Sequence, residues 1–187
     1  MNPEHEKEST IRIVRAHVDD APMLSHIRHK TLLATYVNEH GGITQDDVES
    51  KKFESAERIQ KWKEFIMTED GLTVLVAREG ATVIGYCLVK EENGKQYIGA
   101  LYVLPEAQGR GVGKKLMDHA LSVIDDKKPI ELSVVSFNNH AITFYESFGF
   151  EQRGINQDPH TQQFPSGRRM EEILMVREPK IYVQSKL

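Results

Sequence analysis

The sequence has few of the features that mark secreted, membrane or nucleic-acid-binding proteins. It contains one cysteine, Cys87, so no internal disulfide can form, which is consistent with a reducing cytoplasm. No apolar stretch approaches the roughly 20 residues that a membrane span needs, and the first ten residues lack an apolar signal core. The net charge of −4 argues against general nucleic-acid binding, which normally needs a basic surface. These absences predict a cytoplasmic protein without a membrane or nucleic-acid partner.

Length and composition predict an ordinary globular domain. The chain has 187 residues, 39% of them hydrophobic and 28% charged, and these are not the values of a disordered chain. A chain of this length can bury a core of its own. We predict a short disordered leader over residues 1–10, a single domain over residues 11–178, and a tail over residues 179–187.

The sequence is organised around residues 97–121, YIGALYVLPEAQGRGVGKKLMDHAL. This stretch begins as an apolar strand and continues as a helix with apolar residues at three- and four-residue spacing. Between them lies the glycine loop, residues 108–113, whose three glycines allow a ligand to approach the backbone closely. The first turn of the helix offers unpaired N–H groups at the positive end of the helix dipole. Arg110, Lys114 and Lys115 add positive charge, so the loop is predicted to bind a diphosphate.

Two common diphosphate motifs do not fit the glycine loop. The dinucleotide motif GxGxxG fails because Lys114 or Leu116, depending on the register, stands at its third glycine position. The nucleotide-binding P-loop also fails. Gln108 replaces its first glycine, and Lys115 replaces the serine or threonine that would hold magnesium.

The remaining pattern, Gln108-x-x-Gly111-x-Gly113 after a strand that ends LYVLP, closely resembles the acetyl-CoA signature of the GNAT N-acetyltransferases. A second match follows: residues 138–150, NNHAITFYESFGF, resemble the family segment N-x-x-A-x-x-F-Y-x-x-x-G-F. A glycine-rich turn without a ligand is the alternative for the first motif. The presence of both motifs, in the right order and separated by a strand-like run, argues against it.

The resemblance implies an α/β (α+β) fold of GNAT type across residues 11–177, in the order β-α-α-β-β-β-α-β-α-β-β. In that fold a mixed central sheet is flanked by helices, and its two central parallel strands splay apart. The pantetheine arm of acetyl-CoA lies in the opening. Here the strand that ends at Val103 and the strand that begins near Ile130 are the pair expected to splay.

The resemblance also implies the cofactor contacts. Backbone groups of Tyr102 and Val103 would hydrogen-bond the pantetheine and the acetyl carbonyl, and amides of residues 108–114 would hold the pyrophosphate. Asn138 would reach the pantetheine or the 3′-phosphate side of CoA. The expected cofactor-binding residues are Tyr102, Val103, Gln108, Gly109, Arg110, Gly111, Val112, Gly113, Lys114 and Asn138. Acetyl-CoA is expected as co-substrate, and no metal is expected.

Acetyl transfer to an amine needs two proton movements. A free alkylamine has a pKa near 10.4, so only about one molecule in 10³ is nucleophilic at about pH 7.4, and the amine must lose a proton. The CoA thiolate that leaves can be protonated by a phenol, and Tyr145 matches the tyrosine acid of the family. Many members carry a glutamate base where this chain has Tyr97. A water chain, His140 or an acid from residues 39–57 could replace it.

Residues 39–57 form an acidic segment that the resemblance places beside the acceptor site. It contains six acids against Lys51 and Lys52, and its Thr44 and Asp47 are typical of a capping box that opens a short helix. Several acids together would attract a cationic amine, such as a polyamine. A solvated helix face is the alternative interpretation of the same charges.

The favoured function is therefore an N-acetyltransferase that moves the acetyl group directly from acetyl-CoA to a primary amine, and the acidic segment favours a cationic small molecule such as a polyamine. An amino acid, an aminoglycoside-like amine, or a protein N-terminus or lysine could also be the acceptor. An acyl-CoA-binding regulatory module without catalysis is the alternative from another class, and a homodimer is left open.

Three other residue types are predicted to be structural. His26 and His29 are three apart on one helix, but no third metal ligand is near them in sequence, so surface histidines are favoured over a metal site. Trp62 is interpreted as a core anchor. Cys87 has no basic neighbour in sequence to lower its pKa, so it is interpreted as a buried apolar residue.

Overall fold

The computed structural model of the protein describes residues 10–37, 43–68, 71–156, 163–164 and 166–179. The predicted leader and tail lie outside these ranges apart from Thr10 and Pro179. The strands in them are β1 (Ile11–Arg15), β2 (Leu72–Glu79), β3 (Thr82–Glu92), β4 (Lys95–Val103), β5 (Ile130–Val135), β6 (Glu151–Ile155) and β7 (Glu172–Arg177). The helices are α1 (Ala21–Tyr36), α2 (Gln45–Ser50), α3 (Ala56–Met67), α4 (Val112–Val123) and α5 (Asn139–Glu146). The element order confirms the sequence prediction, with the short α2 as a third helix between β1 and β2.

The strands form one mixed sheet in the order β1-β2-β3-β4-β5-β7-β6. All neighbouring strands are antiparallel except β4 and β5, which are parallel. The β3–β4 hairpin turns at Asn93 and Gly94, whose φ angles of 53° and 76° are those that a tight two-residue turn requires. This arrangement is the mixed sheet that the resemblance implied.

Helices cover both faces of the sheet, as adjacent residues of β3 show. Gly85 faces α4, because a Cβ at this position would lie 3.3 Å from Leu116. The next residue, Tyr86, packs edge-on against Trp62 of α3 with ring centroids 5.2 Å apart. Successive residues of a strand point to opposite faces, so α4 and α3 lie on opposite sides of the sheet. Trp62 is buried in the core cluster, which confirms its prediction as a core anchor.

The two parallel strands separate soon after they pair. Their register contains only Gln96–Ile130 and Tyr97–Glu131, and β4 continues to Val103 without further pairing to β5. A β-bulge lies just beyond these pairs: Leu88 of β3 faces Ala100 and Val89 faces Ile98, which leaves Gly99 as the extra residue. A bulge bends its strand and increases the local twist. The bulge therefore contributes to the separation of the two strands, and the predicted splay is confirmed.

A buried glutamine holds the closed end of this split. The side chain of Gln96 donates from Nε2 to the carbonyl of Asp125 at 2.8 Å and accepts at Oε1 from its N–H at 2.9 Å. Gln96 is buried and Asp125 is exposed, so both bonds lie at the edge of the core. They join the start of β4 to the connection between α4 and β5.

Helix α2 is docked by a small apolar cluster and an ion pair. Val48 packs with Phe53, Phe164 and Met170 in a cluster separate from the main core. Asp47 closes the predicted capping box with Thr44 and forms an ion pair with Arg168 at 2.9 Å. The segment before β7 thus contacts the helices that precede β2.

Candidate functional site

A cavity of about 1150 Å³ passes through the gap between β4 and β5. It is larger than the roughly 300–1,000 Å³ of an ordinary small-molecule site, so it has room for two substrates. Residues of α1 and α3 line it on one side of the sheet, and residues of α4 and α5 line it on the other. The predicted site residues that line it are Tyr102, Val103, Gln108, Gly109, Gly111, Val112, Gly113, Lys114, Asn138 and Tyr145. Arg110 does not line the cavity.

The glycine loop has the conformation that its composition predicts. Gly109 and Gly111 have φ angles of 74° and 76°, in the left-handed region where other residues are strained. Gly111 is the N-cap of α4, and no side chain caps this end of the helix. The first-turn amides of α4 are therefore available to a ligand at the positive end of the helix dipole. This geometry suits a diphosphate.

The basic residues around the loop are arranged differently from the prediction. The two terminal nitrogens of the Arg110 guanidinium, Nη1 and Nη2, donate to the carboxylate of Glu79. This ion pair raises the pKa of the arginine. Lys115 reaches the carbonyl of Ile11 at 3.4 Å, which directs it to β1 and away from the cavity. Lys114 forms an ion pair with Asp118 at 2.7 Å and lines the cavity. Of the three, Lys114 is placed to face an anionic ligand.

The end of β4 is held in place by side chains from two other elements. The carbonyl of Val103 accepts hydrogen bonds from Thr31 Oγ1 at 3.2 Å and from Gln108 Nε2 at 3.1 Å. Thr31 thereby anchors α1 over the end of the strand, and Gln108 fixes the start of the glycine loop. Asn138 accepts from the N–H of Ala141 at 3.1 Å, which caps α5, and it also bonds the hydroxyl of Tyr36.

Tyr145 lies on α5 with its ring in the core. It packs edge-on against Phe144 and Phe150, with centroids 5.4 and 6.1 Å away. Burial raises the pKa of its phenol well above the ordinary value, and Cys87 and Tyr36 add to the rise. The hydroxyl therefore keeps its proton at any working pH. Because a phenol of raised pKa is a weak acid beside a thiol of pKa near 8.5, such a hydroxyl can stabilise a thiolate more readily by donating a hydrogen bond than by full proton transfer.

The general base that deprotonates the amine was left open by the sequence, and several titratable residues line the cavity. Tyr97 and the exposed His140 both line the cavity, as do the carboxylates Glu131 and Glu172 of β5 and β7. Glu131 pairs with Lys95 at 3.1 Å. Glu172 lies near Tyr36, whose pKa it helps to raise.

The described acids of the acidic segment do not line the cavity, although Phe53 of the same segment does. Glu39 lies outside the described residues, and none of the other five acids lines the cavity. Four of them have partners elsewhere: Asp47 pairs with Arg168, Glu49 and Glu54 with histidines of α1, and Glu57 with Lys61. These contacts fit the alternative interpretation, a solvated helix face. The described acids therefore give no reason to expect a polycationic acceptor.

The two histidines of α1 are engaged by the same acids. Glu54 Oε1 lies 3.2 Å from His26 Nδ1 and 2.7 Å from His29 Nδ1. Within the described ranges, no group of three or more His, Cys, Asp or Glu side chains has the arrangement of a metal site. Cys87 is buried, and burial raises the pKa of its thiol to about 12, which confirms the prediction of an unreactive core residue. No helix in the described part of the chain is long and apolar enough to cross a membrane.

The cavity also contains residues that the sequence did not single out, namely Arg28, Arg58, Tyr36 and Tyr86. Tyr36 is the last residue of α1, and its hydroxyl bonds Asn138. Tyr86 was one aromatic residue within a hydrophobic strand. The arginines lie among other charged residues on their helices. No local signal distinguishes them, because they meet only in the folded structure.

Part of the chain matches a known family and several known proteins. Residues 70–152 match the family model of the acetyltransferase (GNAT) domain. The peptidyl-lysine N-acetyltransferase YjaB of Salmonella typhimurium is 31% identical over 74 residues, which cover 40% of this chain and 46% of that protein. The spermine/spermidine N(1)-acetyltransferase of Bacillus subtilis is 32% identical over 66 residues, 34% of this chain and 43% of that protein. The matches thus span less than half the length of these relatives.

Solved structures agree in fold. The PaiA N-acetyltransferase of Thermoplasma acidophilum, in complex with coenzyme A, has a TM-score of 0.73 at 20% identity and covers 90% of this chain and 99% of its own. The ribosomal-protein-S18-alanine N-acetyltransferase of Escherichia coli has a TM-score of 0.63 at 16% identity, with coverage of 95% and 99%. The protein has the GNAT fold, and residues 70–152, a little less than half of the chain, match the GNAT acetyltransferase domain model.

Proposed function

We propose that the protein is an acetyl-CoA-dependent N-acetyltransferase that transfers the acetyl group directly to a primary amine. The observation that carries this proposal is the meeting of the glycine loop, the open end of β4 and Tyr145 in one cavity. Acetyl-CoA would be held by the first-turn amides of α4 and by the edge of β4. Tyr145 would donate a hydrogen bond to the sulfur as the acetyl group leaves it.

The acceptor is proposed as an amine at the opposite mouth of the cavity, between α1, α3 and β5. The names of the two relatives, for polyamines and for peptidyl-lysine, share the primary amine. A polyamine stays among the acceptors to be tested. Its support is the relative's name, since the described acids of residues 39–57 do not line the cavity.

The test is a coupled assay that measures the free thiol of CoA over a panel of amines, including spermidine, amino acids and a lysine peptide. We expect thiol release above the rate of hydrolysis with at least one amine. Calorimetry with acetyl-CoA on the same protein separates the alternative class. Tight acetyl-CoA binding without acetylation of any amine would mean an acyl-CoA-binding module and not an enzyme.

A further inference from the structure

Two arginines line the acceptor side of the cavity. The nearby Glu57, whose pKa Arg58 helps to lower, has its carboxylate bonded to Lys61. Arg28 on α1 and Arg58 on α3 both line the cavity, and both are half-buried. Within the described ranges, neither guanidinium forms an ion pair. The other cations that line this side are matched, Lys61 by Glu57 at 2.9 Å and Lys90 by Glu92 at 2.8 Å.

The environment of Arg28 concentrates positive charge in an apolar setting. Its guanidinium carbon lies 5.1 Å from the ring centre of Phe53, which also lines the cavity. Lys51 lies within electrostatic range of both arginines: desolvation lowers the pKa of the lysine, and Arg58 and Arg28 lower it further. Three cations therefore repel one another here, and an anion between them would remove that cost.

Unpartnered hydrogen-bonding groups mark the same position. Arg28 Nε and the hydroxyl of Tyr86 are both buried, and neither has a hydrogen-bond partner among the described residues. Tyr86 is fully buried and lines the cavity, and Arg28 lies close enough to act on its pKa. A buried donor without a partner costs free energy, so such groups are expected where a ligand supplies the acceptor.

The position of Arg28 relative to the end of β4 suits contact with the acceptor and not with the cofactor. Thr31, whose hydroxyl bonds the carbonyl of Val103, is three residues after Arg28 on α1 and so lies on the same helix face. Arg28 thus precedes Thr31 by about one helical turn, roughly 5 Å along the axis of α1, and Thr31 itself contacts the end of β4. Arg28 approaches from the α1 and α3 side of the sheet, opposite the glycine loop.

We infer that Arg28, Arg58 and the hydroxyl of Tyr86 form a carboxylate-binding subsite for the acceptor. The acceptor is then a small amine that also carries a carboxylate, as amino acids do. Its carboxylate accepts from the guanidinium fork and the phenol, and its amine extends towards the acetyl group at the end of β4. This inference rests on the proposed acetyltransferase function, of which it specifies the acceptor.

The experiment compares pairs of acceptors that differ only in charge. A series of straight-chain amino carboxylates of increasing length is assayed beside the corresponding amides, and the readout is the ratio of kcat/KM for acid and amide. We expect the best acid to exceed its amide in the native protein, and Arg28→Gln to lower that ratio about tenfold or more. Arg28→Lys should fall between the two, because it keeps the charge and loses the fork. Tyr86→Phe should also lower the ratio.

Arg12→Gln is the matched control, because Arg12 is exposed on the edge strand β1 and does not line the cavity. It should leave the ratio unchanged. Acetyl-CoA calorimetry on every variant checks that the fold and the cofactor half of the site are intact. An equal acid-to-amide ratio in the native protein and in Arg28→Gln would overturn the subsite.

A second readout separates this inference from the proposed function. The N-acetylated acids and amides are titrated into CoA-saturated protein, which measures binding without turnover. Tighter binding of the acids that is lost in Arg28→Gln supports the subsite even if no amine is acetylated, whereas an absence of such discrimination overturns it. Acetylation of spermidine or a lysine peptide, with no preference for any carboxylate, would keep the proposed function and reject the subsite.

Discussion

At the residue scale, the proposed chemistry depends on one buried phenol. Tyr145 has its ring packed between aromatic neighbours, and burial holds its hydroxyl in the protonated form. Tyr145→Phe removes the hydroxyl and keeps the packing. We expect kcat to fall about 10²-fold, the lower end for a positioned acid, with little change in acetyl-CoA affinity. The measurement is kcat under conditions where the chemical step limits the rate. An unchanged kcat there would assign the donor role to solvent.

Asp47 gives a prediction about stability and pH. Hydrogen bonds from Ser166, the Thr44 backbone and Arg168 lower the pKa of its carboxyl below the ordinary value. A carboxyl with a lowered pKa in the folded state stabilises the fold above its unfolded pKa of about 3.9, and this contribution is lost as the pH falls below it. Asp47→Asn should therefore lower Tm at neutral pH by a few degrees, and the difference should shrink in acid.

The neighbouring Asp46 is the control for this effect. It is exposed in the same short helix, so Asp46→Asn should leave Tm nearly unchanged at every pH. A Tm difference for Asp47→Asn that stayed constant from neutral to acidic pH would point to packing and not to charge as its cause.

At the scale of elements, the start of α4 joins backbone geometry to cofactor binding. Gly111 has φ of 76°, and a Cβ there would meet no atom within 4 Å. Gly111→Val thus introduces strain at the N-cap together with a side chain at the predicted diphosphate site. Acetyl-CoA affinity, measured by calorimetry, should fall about tenfold or more, the loss expected when several charge-assisted bonds are disturbed.

Gly94→Val separates the two effects, because Gly94 has the same φ of 76° and open space, but lies in the β3–β4 turn. It should reduce stability and leave acetyl-CoA affinity unchanged. If the two variants lost affinity equally, the diphosphate site would have to lie elsewhere.

The closed end of the split sheet supplies a prediction for β4 and β5. Gln96→Leu keeps much of the buried volume and removes both hydrogen bonds to Asp125. Because the N–H and carbonyl of Asp125 lose their partner, the free energy of unfolding should fall by about 1–3 kcal/mol, as measured by urea denaturation. Gln60→Leu, at an exposed position of α3, is the control. If Gln96→Leu lowered the free energy of unfolding no more than this control does, water would have replaced the hydrogen bonds of Gln96.

At the scale of the whole molecule, the two motifs allowed the fold to be predicted, and all but one of the site residues taken from them line the cavity. The order of elements along the chain followed from local periodicity and from the resemblance. Gly99, an isolated glycine within a strand, is a signal by which the bulge could also have been found. The acceptor side could not be predicted, because Arg28, Arg58 and Tyr86 come from α1, α3 and β3 and share no local pattern. The acids of residues 39–57 were assigned to the acceptor wall for a related reason. Asp47, Glu49 and Glu54 instead contact Arg168 and the histidines of α1, which only the fold brings near.

A further prediction concerns the cofactor and the stability of the fold. A ligand that binds only the folded state stabilises it by about 2.7 kcal/mol when its concentration is a hundred times Kd. Acetyl-CoA should therefore raise Tm in proportion to the logarithm of its concentration, and Gly111→Val should need more ligand for the same rise. A Tm that did not respond to acetyl-CoA would contradict binding in the cavity.

The separation of β4 from β5 also has a mechanical consequence. The sheet consists of two slabs, one of β1, β2, β3 and β4 and the other of β5, β7 and β6. The slabs pair only through β4 and β5, at two register positions, and these pairs form the seam between them. A force applied between residues 10 and 179 must cross this seam, because β1 and β7 lie on opposite sides of it. With the cavity empty, the seam should yield before either slab. With acetyl-CoA lying between the strands, the force needed to open the seam should rise. The bound cofactor would then hold the two slabs together until it dissociates.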